Sequence, residues 1–373
     1  MATKYRPGQI RDAIFDCLSA NPGVMSLKDI ERGVSQQLTD VPPSSIRSYL
    51  RLNTPDVFRR PRRAHYMLRE QASLLEPPIA AGEQESYTFG RATLFKDDCF
   101  NWLRACSPQS IHAVVTDPPY GLVEYSVGQQ AKLRAGRGGV WRIPPSFDGA
   151  KRSPVPRFTV LRPSDLQALD VFFHTWARLL LPVLVPGATV IVASNPLVSY
   201  VVSGALARAG LERRGELVRL VMTMRGGDRP KAAHEEFSGV SVMPRSMWEP
   251  WLVFRKPIEG RVQDNLREWK TGGFRRPSEG RPFGDVIESA PTGRKERLIA
   301  PHPSLKPQAF LRQVVRAVLP LGEGVVLDPF AGAGSTLAAA EAVGYASIGI
   351  EKDEHFFQIA RSSLPKLVRL RVT

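Results

Sequence analysis

Apolar positions recur at helical spacing from Arg6 to Ala20, through Ile10, Ala13, Ile14, Phe15 and Leu18, and the pattern stops at the turn signal Asn21-Pro22-Gly23. Ser26 is placed to cap a second helix over 27–38, with Asp29 in its first turn. Val41-Pro42-Pro43-Ser44 leads into a third helix over 45–52, closed by Asn53-Thr54-Pro55. Two short strands around a basic turn are expected in 57–69. Three helices followed by such a hairpin suggest a small winged-helix-like domain over residues 1–70, and a small helical dimerisation cap is the plainer alternative. Residues 71–86 have linker composition, with Pro77-Pro78 and Gly82.

From residue 87 onward, strand-like runs alternate with helical ones. Strands are expected over 87–94, 111–116, 188–193, 217–224, 250–256, 324–327 and 346–350. Helical periods fall over 98–103, 166–181, 199–209, 307–319, 335–343 and 354–364. That alternation predicts an α/β domain built on a largely parallel sheet. Two stretches depart from it, 121–160 and 225–300, both rich in Gly, Pro and Arg.

The chain has 373 residues and a formal net charge of +15. Residues 1–70, 125–160 and 225–300 carry +5, +6 and +4, so the remainder is neutral. Segregated positive charge favours a polyanionic partner, because each neutralised phosphate releases counterions. The longest uncharged apolar stretch, 179–193, is broken by Pro182, Pro186 and Gly187 and falls short of the roughly 18 residues a membrane span needs. No signal peptide is evident at the N-terminus. Three cysteines without metal-ligand spacing and six scattered histidines predict no metal site and fit a reducing cytoplasm.

Two loops carry candidate chemistry. VVLDPFAGAGST (325–336) runs from a strand through Gly332 and Gly334 directly into a helix, an arrangement that lets a ligand approach backbone N–H groups closely. Glu351, at the end of the next strand, suits a ribose diol. The loop has neither GxGxxG spacing nor a GK[ST] ending, so another adenosine-containing ligand fits better than NAD or ATP. In the second loop, TDPPY (116–120), two prolines end an apolar strand rigidly and leave a carboxylate, carbonyls and an aromatic ring together. Asp117 and the Pro118 carbonyl can accept both hydrogens of a planar exocyclic amine, while Tyr120 stacks on its ring. Two acceptors localise the amine's delocalised lone pair toward an electrophile.

TDPPY and LDPFAGAGST together resemble the catalytic and cofactor motifs of the S-adenosylmethionine-dependent amino DNA methyltransferases. With PHPSLKP (301–307) just before the cofactor loop, and the catalytic motif preceding that loop by about 200 residues, the order is similar to the circularly permuted beta class. The resemblance covers 87–364 and implies a Rossmann-like class I methyltransferase sheet over 87–373. It assigns Asp117, Pro118, Pro119 and Tyr120 to a flipped base. Asp328, Pro329, Phe330, Ala331, Gly332, Gly334 and Ser335 would line S-adenosylmethionine, and Glu351 would hold its ribose. Asp98 matches the adenine contact, with Asp97 competing for that role. His302, Ser304 and Lys306 match the segment near the methionine carboxylate; Ser304-Leu305 stands where Thr-Gln is common.

Asp117 in the motif implies adenine N6 as the target, with cytosine N4 as the alternative. Cytosine C5 chemistry would need a cysteine nucleophile, and none lies near the motif in sequence. A non-catalytic DNA-binding regulator is the competing class, and RNA or protein-glutamine methylation would favour an NPPY motif. The base has to leave the duplex to reach such a pocket. The expected DNA contacts are Ser45, Arg47 and Arg51, with Ser44 and Ser48, on the third helix; Arg59, Arg60, Arg62 and Arg63 on the hairpin; Tyr125, Arg134 and Arg137 in 121–160, with Trp141 as a second wedge; and Arg275, Arg276 and Arg281 in 225–300, where the family places target recognition. Trp248, Trp251 and Trp269 are read as packing residues. Double-stranded DNA is the expected partner, with a homodimer and a cognate restriction endonuclease implied by the family alone.

Overall fold

The computed structural model describes residues 9–21, 24–52, 54, 58–62, 64–68, 85–119, 146–147, 150–151, 163–221, 233, 235–242, 244, 247–302 and 304–372. The chain divides into two compact units, Met1–Ala81 and Gly82–Thr373.

The smaller unit contains α1 (Gln9–Ala20), β1 (Met25–Ser26), α2 (Leu27–Gln37), α3 (Pro43–Leu52), β2 (Phe58–Arg62) and β3 (His65–Leu68). Its strands pair antiparallel in the order β1-β3-β2. The Ser26 hydroxyl accepts from the Asp29 N–H at 3.2 Å and so caps α2. α3 begins at Pro43, two residues earlier than the sequence indicates, because proline's fixed φ and missing N–H suit a first helical turn. Ile14, Leu18, Ile30, Val34, Ile46 and Leu50 close on Phe58 and Leu68 of the hairpin to form one core. A Cβ at Gly33 would lie 2.4 Å from Cys17 Sγ, so this glycine permits α1 and α2 to approach.

The larger unit runs β4 (Ser86–Phe89), β5 (Ala92–Lys96), α4 (Cys99–Ala105), β6 (Ile111–Thr116), β7 (Ser146–Phe147), β8 (Ala150–Lys151), α5 (Pro163–Val183), β9 (Leu184–Ala193), α6 (Ser199–Arg208), β10 (Glu212–Leu220), β11 (Trp248–Arg255), α7 (Val262–Trp269), β12 (Val286–Glu288), α8 (Arg294–Ile299), α9 (Gln308–Val318), β13 (Val325–Asp328), α10 (Ser335–Ala342), β14 (Ala346–Glu351) and α11 (Glu354–Val368). Nine strands form one mixed sheet in the order β12-β10-β11-β9-β6-β13-β14-β5-β4. Its centre, β9-β6-β13-β14-β5, is entirely parallel.

Alternate residues of the central strands serve two cores. Val114, Val190 and Val192 pack with Phe173, Trp176 and Leu206 from α5 and α6, whereas Ala113, Val115 and Ile191 pack with Phe310, Val314 and Ala339 from α9 and α10. Helices therefore cover both faces, which is why these strands read as continuous apolar runs. This is the α/β, Rossmann-like class expected. β6 and β13 are hydrogen-bonded neighbours although their closing residues, Thr116 and Asp328, lie 212 positions apart.

In the larger unit, three of the expected strands differ most from the sequence reading. The strand expected over 87–94 is a hairpin, folded at Gly90 with φ 57°. β9 starts at Leu184 and continues through Pro186-Gly187, where Gly187 takes φ 77° and the register against β6 shifts, as at a bulge. β10 starts at Glu212, ahead of the strand expected over 217–224, because its charged first half is held by antiparallel pairing with β11 and not by apolar burial; residues 222–224 lie outside the described residues. No helix among the described residues is long and apolar enough to cross a membrane.

Candidate active site

The C-terminal ends of β6, β13 and β14 lie side by side, the location where open α/β sheets bind ligands. Thr116 and Asp328 join the first two: the Thr116 hydroxyl donates to Asp328 Oδ1 at 2.6 Å, and both residues are buried. Asp328 also accepts from the Phe330 N–H at 3.2 Å and from the Thr336 hydroxyl. Burial nevertheless pushes its carboxyl up to about 6.

The glycine loop follows. Gly332 and Gly334 adopt φ 51° and 78°, the left-handed region that favours glycine. A Cβ on Gly332 would sit 3.0 Å from His302 Nε2, so the loop and the 301–306 segment are closely apposed. Glu351 holds the loop: Oε2 accepts from the Gly332 N–H and Oε1 from the Asp353 N–H, both at 2.8 Å. Desolvation raises the Glu351 pKa against those bonds. Pro329 is buried, Phe330 packs on Trp176 and Phe172, and the Ser335 carbonyl accepts from Gln308 Nε2 at 2.9 Å. Asp98 caps α4 through a 2.9 Å bond from the Phe100 N–H, while the Asp97 N–H donates to the Glu351 carbonyl at 3.1 Å, which keeps the pair beside the same strand end.

Asp117 and the glycine loop open onto one cavity, lined jointly by Asp117, His302, Lys306, Phe330, Gly332 and Ser335, with Ser304 also at its wall. Pro118 is buried and Pro119 exposed. Tyr120, Tyr125, Arg134, Arg137 and Trp141 lie outside the described residues. The Lys306 ammonium is ion-paired with Asp117 Oδ2 and stands 3.3 Å from Glu249 Oε1. Burial lowers the His302 pKa to about 4, so the ring is neutral near pH 7. The Ser304 N–H donates to His302 Nδ1 at 3.2 Å, which leaves the ring proton on Nε2, facing Gly332.

The expected DNA contacts are distributed unevenly. On α3, Ser44, Arg47, Ser48 and Arg51 form one exposed stripe at helical spacing, while Ser45 is half-buried beside Ile46. Arg47 pairs with Glu31 at 3.0 Å, and Arg60 lies over the Tyr66 ring. The side chains of Arg59 and Arg62, and all of Arg63, lie outside the described residues. Arg275 donates to the Tyr345 hydroxyl at 2.8 Å, and Tyr345 precedes the first residue of β14, so Arg275 stands at the edge of the sheet opposite Glu351. Arg276 shares that edge through the 2.9 Å bond its carbonyl accepts from Arg316, and Arg281 belongs to the adjoining turn, its N–H bonded to the Ser278 carbonyl. A DNA contact at Arg275 or Arg276 would therefore face away from Asp117. Trp251 is fully buried against Phe310, as a packing residue should be.

Glu249 and Arg219 did not emerge from the motifs. Arg219 Nη1 donates to Glu249 Oε2 at 2.8 Å, with Lys306 on the other Glu249 oxygen. A signal was present: Leu217, Arg219 and Val221 alternate on one buried face, and a charge at an inward position needs a buried partner.

A family model described as DNA methylase, of the N6/N4 methyltransferase type, matches residues 111–362. The chain is 24% identical over 278 residues to the type II methyltransferase M2.DpnII of Streptococcus pneumoniae, covering 74% of this chain and 91% of that protein. It is 25% identical over 281 residues to M2.LlaDCHI of Lactococcus lactis subsp. cremoris, covering 75% and 91%. Among solved structures, a DNA modification methylase from Thermus thermophilus complexed with S-adenosyl-L-methionine aligns over 75% of this chain and 95% of that one, with 21% identity and a TM-score of 0.47. The cytosine-N4-specific PvuII DNA methyltransferase aligns over 77% and 94%, with 12% identity and a TM-score of 0.48. Because the family match runs from β6, through both chemistry-bearing loops, into α11, the chain belongs to the N6/N4 family of DNA methylases.

Proposed function

We propose that this enzyme transfers a methyl group from S-adenosylmethionine to the N6 amino group of an adenine flipped out of duplex DNA. The observation that carries the reading is the cavity shared by Asp117 and Gly332, braced by the Thr116–Asp328 bond. Asp117 and the Pro118 carbonyl accept the two amino hydrogens and so aim the nitrogen lone pair, with Tyr120 stacking on the base. Asp at position 117 supports adenine over cytosine through its resemblance to the adenine-type motif.

The residues present fit the cofactor. Glu351 uses two acceptor positions, on the Gly332 and Asp353 N–H groups, and a carboxylate offers about four, so it can also accept from a ribose diol. A side chain at Gly332 would press on His302 across the cavity, so glycine keeps that wall open, and Asp97 and Asp98 stand beside Glu351 for an adenine amine. When bound, S-adenosylmethionine supplies an electrophilic sulfonium methyl. Neutral His302 adds no positive charge beside that cation. In the smaller unit, the exposed stripe Arg47–Arg51 and the basic hairpin support a winged-helix-like DNA-binding role.

Incubation with tritiated cofactor and plasmid DNA, followed by nucleoside analysis, tests the reading. Label in N6-methyladenine is expected. Label in N4-methylcytosine would overturn the base assignment, and unlabelled DNA with cofactor demonstrably bound would favour a non-catalytic regulator.

A further inference from the structure

Four charged side chains run inward from the candidate catalytic carboxylate in alternating sign. Asp117 holds Lys306, Lys306 reaches Glu249, and Glu249 holds Arg219. Arg219 then donates from Nε to the Ser289 hydroxyl and from Nη2 to the Ala290 carbonyl, both at 3.0 Å, and its guanidinium lies 5.1 Å from the Phe310 ring centre. All four side chains are largely withdrawn from water, at 17%, 13%, 16% and 5% exposure from Asp117 to Arg219. They come from separate parts of the chain: the end of β6, the segment before α9, β11 and β10. The fifth member, Ser289-Ala290, directly follows the edge strand β12 inside the basic 225–300 region.

We propose that Glu249 is a positioning residue that locks the Lys306 ammonium onto Asp117 and, through Arg219, ties the carboxylate's geometry to residues 289–290. The proposal rests on the reading of Asp117 as the amine acceptor. An isolated carboxylate at the end of a strand is free to rotate, whereas one with a fixed cation on Oδ2 presents one orientation to an incoming amino group. Lys306 can do this only while protonated. The groups facing it are Asp117, Glu249, Arg219 and, from its own segment, His302. Burial pulls its pKa down, but the two carboxylates more than offset this and hold it above the ordinary lysine value. Without Glu249's charge, burial and Arg219 oppose protonation with only Asp117 left against them.

The test compares wild type with Glu249→Gln in the full-length chain. NMR of the Lys306 Nζ and Cε signals reports its titration directly, independent of turnover. In Glu249→Gln the ammonium titrates at lower pH, and kcat gains an alkaline fall where wild type is flat. At mildly alkaline pH kcat is about tenfold lower or worse, while cofactor Kd and KM for DNA stay within about twofold. Lys306→Arg in the Glu249→Gln background abolishes the alkaline fall, because a guanidinium does not titrate in that range. An unchanged Lys306 titration, or an alkaline fall that survives Lys306→Arg, overturns the proposal. Should Glu249→Gln not fold, Lys306→Arg against Lys306→Met decides the same point: kcat falls much further in Lys306→Met than in Lys306→Arg, and the reverse order overturns the proposal. If wild type methylates no DNA, the functional reading fails, while the Lys306 titration still decides whether Glu249 governs the ammonium.

Discussion

At the C-terminal ends of β6, β13 and β14 the chain places Asp117, Asp328 and Glu351, whereas around the N-terminal ends of β13 and β14 it gathers Arg275, Arg276 and Arg316. The first edge is acidic and largely withdrawn from water, and its charges are tied to backbone N–H groups, hydroxyls and one lysine. The second is an open basic hollow lined also by Phe274 and Leu321. An acidic mouth suits a sulfonium cation and an amino group, both of which bring positive charge or donors. The two edges thus differ in charge and exposure, and the whole 225–300 region supplies only +4 of the net +15.

That division can be broken or sharpened by substitution at each surface. The largest effect is expected at the mouth: Asp117→Ala should lower transfer by at least about 10²-fold and leave cofactor Kd nearly unchanged in equilibrium titration. Turnover close to wild type would remove Asp117 from the reaction. A smaller effect is expected on the exposed stripe of α3, where Arg47→Ala or Arg51→Ala should weaken DNA binding a few-fold and reduce the slope of log Kd against log salt by up to about 0.9 each. Arg47 should give the lesser change, since Glu31 already offsets its charge. The smallest is expected at the opposite edge: Arg275→Ala, whose side chain is engaged by Tyr345, should leave kcat and cofactor affinity within about twofold. A loss of turnover there at saturating DNA would contradict the separation of the two edges.

Much of this organisation was legible in the sequence. Val- and Ile-rich runs announced β6 and β13 because strands buried on both faces carry no polar alternation, and the glycine pair of 332–334 announced a loop opening into a helix. What escaped has physical reasons. β1 and β12 are too short to show a period, and β9 passes through Pro186-Gly187, which punctuates a sequence but here only bends a strand. The placement of Arg275 and Arg276 escaped because charge composition carries no information about which edge of a sheet a segment covers. The partner of Lys306 escaped because it is set by β10 and β11, whose pairing brings Arg219 opposite Glu249, and no local motif encodes that register.

The central claim is that the two loops, distant along the chain, act on the two sides of one methyl transfer. A crystal structure of the full-length enzyme with S-adenosylhomocysteine tests it most directly. The account predicts the product cofactor on the 328–335 loop, its ribose on Glu351 and its sulfur open toward Asp117 with no protein atom between them; a ligand bound elsewhere, or a sulfur walled off from Asp117, would contradict it.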